Sequence, residues 1–82
     1  MWKISVTVES GKFMSYGSAP GGFRTKNEAW FVACRMAEVD YLRARNEMLR
    51  LGTYEEPKVR YDNDWIMVST EKEKTKYLIY ES

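Results

Sequence analysis

Trp2, Ile4, Val6 and Val8 alternate with Lys3, Ser5, Thr7 and Glu9. A period of two marks a strand with one face buried and one solvated. Ser10-Gly11 follows as a tight turn, and Lys12 to Tyr16 reads as a second strand, which predicts an N-terminal hairpin. Ser18-Ala19-Pro20-Gly21-Gly22 then breaks the alternation with loop chemistry.

Thr25-Lys26-Asn27-Glu28 has the form of a capping box, a threonine N-cap with a glutamate three residues on. No proline or glycine interrupts the chain from there to Leu51, and Gly52 is a natural stop. The stretch predicts one helix of about 25 residues, nearly 40 Å long at the usual rise. On a helical wheel Trp30, Ala33, Cys34, Ala37, Tyr41, Ala44, Met48 and Leu51 cluster as its main apolar face. Phe31, Leu42 and Leu49 form an offset stripe, so either a curled sheet or a partner is expected to cover them.

Beyond Gly52 the strand pattern returns. Pro57 to Tyr61, Trp65 to Thr70 and Lys76 to Glu81 read as strands, separated by the turns Asp62-Asn63-Asp64 and Glu71 to Lys74. The order is ββαβββ. Short turns favour antiparallel neighbours, so the expected fold is a single α+β domain over residues 1–82. It would be an antiparallel sheet of four to five strands with one long helix packed on one face.

The absence of histidine and the single cysteine among 82 residues narrow the chemistry. A Ser-His-Asp or Cys-His site cannot be built, nor a zinc site of the usual His/Cys type. Cys34 has no partner for a disulfide and falls on the apolar helix face, as a small core residue. Glu55, Glu56, Asp62 and Asp64 lack the spacing of a calcium loop and read as turn residues. The chain is therefore expected to have no enzymatic activity, cofactor or metal. No run resembles a signal peptide or a membrane span, which points to a soluble, cytoplasmic protein without membrane contact.

Thirteen basic residues against twelve acidic ones give a net charge of +1, neither the basic excess of a general nucleic-acid binder nor the acidic excess of a DNA mimic. Within that balance Arg35, Arg43 and Arg50 share the helix side away from its apolar face. The Gly21-Gly22 loop before the helix, with Arg24 and Lys26 beside it, has the chemistry of an anion cradle, although its spacing matches no phosphate-binding motif. Tyr16, Phe23, Tyr54, Tyr61, Tyr77 and Tyr80 exceed what one sheet and one helix can bury, and are expected at the surface.

Tyrosine beside arginine is common in protein interfaces. The expected partner-binding set is therefore Tyr16, Phe23, Arg24, Arg35, Arg43, Arg50, Tyr61 and Tyr77. In kind, the chain resembles the small single-domain accessory proteins of phages and mobile elements. That resemblance rests on shortness, one compact α+β unit and missing catalytic groups. It implies a protein-binding module that occupies a host protein's surface stoichiometrically, as anti-CRISPR and anti-restriction inhibitors do. The alternative is a small nucleic-acid-binding domain using the basic helix face or an aromatic sheet face. A homodimer, through an edge strand or the offset helix stripe, is a further expectation.

Overall fold

The N-terminal alternation produces β1 (Trp2–Ser10), which turns back into β2 (Phe13–Ser18). The turn passes through Gly11, whose φ of 60° lies in the left-handed region that glycine enters without strain. The computed structural model describes residues 1–52 and 55–82. The helix α1 spans Lys26–Leu51, and the remaining strands are β3 (Lys58–Tyr61), β4 (Trp65–Ser69) and β5 (Glu73–Glu81). The order ββαβββ is the expected one, with strand limits moved by a few residues.

All five strands form one antiparallel sheet in the order β2-β1-β5-β4-β3. β1 and β5, the longest strands at nine residues each, pair along their full length and carry the centre. α1 lies across one face, packed on β1, β4 and β5. Its start is capped as the sequence predicts, with the Glu28 amide donating to Thr25 Oγ1 at 3.1 Å. Lys26 Nζ reaches Asp64 Oδ1 at 2.7 Å and ties that end of the helix to the β3–β4 turn.

Ile4, Ile66, Val68, Tyr77 and Ile79 form the sheet's side of the core, against Ala29, Ala33 and Ala37 of the helix. Alanines spaced by four stack on one line and let the helix backbone approach the sheet. Ala33 is fully buried at 0% exposure. Ala33→Leu is expected to destabilise the fold by about 1–3 kcal/mol through overpacking. Thermal denaturation checks this, since a surface alanine replaced in the same way would barely move the midpoint.

The apolar helix face differs from the one read off the wheel. Ala33 and Ala37 are buried as expected, but Asp40 joins them at 8% exposure, while Leu51 is 60% exposed. The reason is length. A helix of 26 residues extends about 39 Å, and its buried positions end at Asp40, so the later turns run beyond the tightly packed part of the sheet. Phe31, Leu42 and Leu49 stay exposed, so the sheet does not curl round to cover the offset stripe.

Candidate nucleic-acid interface

Alternation sends every second side chain of the sheet away from α1. The register aligns these outward residues in rows across the strands. Ser18, Ser5, Leu78 and Trp65 make one row. Tyr16, Thr7, Lys76, Met67 and Arg60 make the next, and Met14, Glu9, Lys74, Ser69 and Lys58 the one after. Lys3 and Tyr80 pair beyond the first row. None of these residues is buried, so this face of the sheet has no covering layer among the described residues.

The charge on this face is one-sided. Lys3, Lys58, Arg60, Lys74 and Lys76 stand against Glu9 alone. None of the five cations takes part in a salt bridge among the described residues. Aromatic and thioether groups lie between them. Lys76 Nζ sits 5.1 Å from the Trp65 ring centroid, and Tyr16 donates its hydroxyl hydrogen to Met14 Sδ at 2.9 Å. Tyr80 and Trp65 occupy diagonal positions on adjacent strands, a spacing of about 7–8 Å that long aromatic side chains bridge. Unpaired cations around aromatic faces on an open sheet offer what single-stranded bases and phosphates need.

The arginines of the helix are in a different state. Arg35 pairs with Glu38 at 3.6 Å, Arg43 with Asp40 at 3.0 Å and Arg50 with Glu47 at 4.0 Å, each an i,i+3 partner. Their charge is largely answered within the helix surface. Lys26 is likewise held by Asp64 and lies over the Trp2 ring, so of the two cations beside the Gly21-Gly22 loop one is already engaged elsewhere.

The expected partner-binding residues do not gather. Tyr16 is on the open face, 75% exposed. Tyr61 is 73% exposed but opposite Ile66, on the helix side of edge strand β3. Phe23 is half-buried against the core, not at the surface, because its backbone forms a bridge to Trp2 with both N–H···O distances at 2.8 Å. Arg24 is exposed beside it. Tyr54 lies outside the described residues.

Tyr77 requires a correction: it is a core residue, 6% exposed, not a surface tyrosine. Its hydroxyl donates to Asp40 Oδ2 at 3.1 Å, and Arg43 holds the other carboxylate oxygen. Burial pushes the phenol well above its ordinary value, and the neighbouring Asp40 charge adds to the effect. Its register position opposite Val6 and Ile66 fixes it on the helix side.

Of the four acidic residues read as turn residues, Glu56, Asp62 and Asp64 serve local structure. Tyr41 donates to Glu56 at 2.6 Å, Asp64 accepts from Lys26, and Asp62 accepts from the Asn63 amide at 2.8 Å. A cleft of about 540 Å³ between the second half of α1 and the β4–β5 turn gathers Asp40, Glu47, Glu55, Glu71 and Glu73 against Arg43 and Lys72. Cys34 is half-buried and its thiol is pushed up by burial, the reverse of an activated nucleophile.

Lys3, Lys58, Arg60, Lys74, Lys76, Trp65 and Tyr80 are the face residues that sequence reasoning left out of its partner-binding set. The signal was available in part, since Lys58 and Arg60, like Lys74 and Lys76, are two apart and share a strand face. Lys74, however, reads as part of a charged turn, whereas β5 begins at Glu73. No protein-family model, no curated protein and no solved structure matches this chain.

Proposed function

We propose that this protein is a non-enzymatic binding module that takes single-stranded nucleic acid on its open sheet face. One observation carries the reading: five cations with no ion pair among the described residues, and one carboxylate, share that face with Trp65, Tyr80 and Tyr16. Near-neutral net charge, taken alone, favours a protein partner. Segregation of that charge reverses the preference, because affinity for a polyanion depends on the face presented, not on the sum. Lysine and arginine would neutralise phosphates while the aromatic rings stack bases, a mode tolerant of sequence. This role belongs in the cytoplasm, where a free Cys34 stays reduced.

A protein partner is the second reading. The observation that favours it is an apolar groove beside α1, where Val32, Met36 and Val39 flank the buried Tyr77 ring in a hollow of about 430 Å³. A stoichiometric inhibitor of a host defence complex would seat a partner's side chain there.

Fluorescence anisotropy with a labelled single-stranded RNA, titrated at two salt concentrations, tests the first reading. Binding is expected at low salt and should fall steeply as salt rises, with a duplex of the same sequence bound more weakly. No binding at low salt would refute it and leave the protein-partner reading to be pursued by pull-down.

A further inference from the structure

The two edges of the sheet are built differently. β3 is short, carries Lys58 and Arg60, and is preceded by Pro57, which has no N–H to offer. These are the usual protections against pairing with another chain. β2 has none of them within the strand: Phe-Met-Ser-Tyr-Gly-Ser carries neither charge nor proline, Lys12 and Pro20 lie outside its ends, and all six residues are exposed. Phe13, Met14 and Tyr16 are 82%, 53% and 75% exposed. The Ala19 amide donates to Ile4 at 3.1 Å, and antiparallel alternation carries that bonding to Gly17, Ser15 and Phe13. The peptide groups of Met14, Tyr16 and Ser18 therefore point outward from the edge.

We infer that β2 pairs antiparallel with β2 of a second copy, about a two-fold axis through Tyr16. The strand is self-complementary in this register. Every outward N–H of Met14, Tyr16 and Ser18 meets a carbonyl of the other copy. Large side chains face small ones: Met14 lies opposite Ser18 and Phe13 opposite Ala19, with Ser15 opposite Gly17 and only Tyr16 meeting itself. No charge opposes a like charge. The arrangement is isologous and closes, since each copy uses up its unprotected edge and is left with the protected β3. The axis stands perpendicular to the sheet, so both cationic faces lie on the same side of a ten-stranded sheet. The inference stands whether or not that face binds nucleic acid.

Sedimentation across a micromolar-to-millimolar series tests it, together with amide hydrogen exchange of the wild-type protein. A monomer–dimer equilibrium is expected, with the Met14, Tyr16 and Ser18 amides exchanging more slowly as concentration rises. Tyr16→Lys places two cations against each other on the axis and should abolish the dimer while circular dichroism stays native. A wild-type chain that remains monomeric throughout would overturn the inference. So would a dimer whose three amides stay fast, or one that Tyr16→Lys leaves intact, because association would then run through another surface. The exchange measurement needs no variant and decides the matter even if Tyr16→Lys fails to fold.

Discussion

Replacing Arg60, Lys74 and Lys76 together by glutamine should weaken single-stranded RNA binding about 100-fold at 0.1 M salt. Each phosphate neutralised on a single strand contributes about 0.7 to the slope of log affinity against log salt. Five contacts predict a wild-type slope of about −3.5, and removal of three should bring it to about −1.4. At one decade below molar salt the lost 2.1 log units correspond to the hundredfold change. The three side chains lie on the solvated face and make no salt bridge among the described residues, so folding should be little affected. Glutamine at Arg35 and Arg50 is the matched control. Those guanidiniums are already held by Glu38 and Glu47, and their loss should change affinity less than about twofold. Equal losses from both sets would move the interface to the helix.

Asp40→Ala should have the largest effect on stability, about 2–3 kcal/mol, from the unsatisfied Tyr77 hydroxyl and the lost charge-assisted bond. Asp40 is the acceptor for both Tyr77 and Arg43, at 3.1 and 3.0 Å, and it lies in line with the alanines that face the sheet. Urea denaturation measures the loss directly. Tyr77→Phe gives a second, pH-dependent test. The phenol is raised above its ordinary 10.0 by burial first and then by Asp40. The folded state therefore keeps a proton that the unfolded chain releases above pH 10. Its stabilising contribution is full below that pH and is lost as pH rises towards the folded value, by up to about 1.4 kcal/mol per unit. The wild type should lose stability more steeply than Tyr77→Phe between pH 10 and 11.5. Parallel curves for the two proteins would show that the phenol is not the titrating group.

Local rules were enough to read the architecture. The alternation from Trp2 to Glu9, the capping box at Thr25 and the stop at Gly52 predict β1 and both ends of α1. The site was less legible because it is a property of the register. Lys76 becomes the neighbour of Thr7 and Met67 only when β5 enters between β1 and β4, and that non-local pairing leaves no periodic trace in any one segment. Tyr77 fails for a related reason. A tyrosine in a strand reads as a surface aromatic until the opposite element supplies a buried acceptor, and Asp40 is 37 residues away. Asp40 was equally hidden, since a carboxylate amid apolar helix positions reads as a solvated residue.

The open face carries five cations and one acid, a net +4, so with +1 overall the remainder of the molecule must total −3. Part of that remainder lines the cleft beneath the second half of α1. The charge of the protein is therefore separated, positive on the open face and negative over the rest of the molecule. In the field of a polyanion the protein experiences a torque before contact, turning the lysine side forward and the cleft away. Approach would be oriented as well as accelerated, and a negatively charged surface would hold the cleft and α1 facing the solvent. A third molecule could then reach the helix while the sheet is occupied.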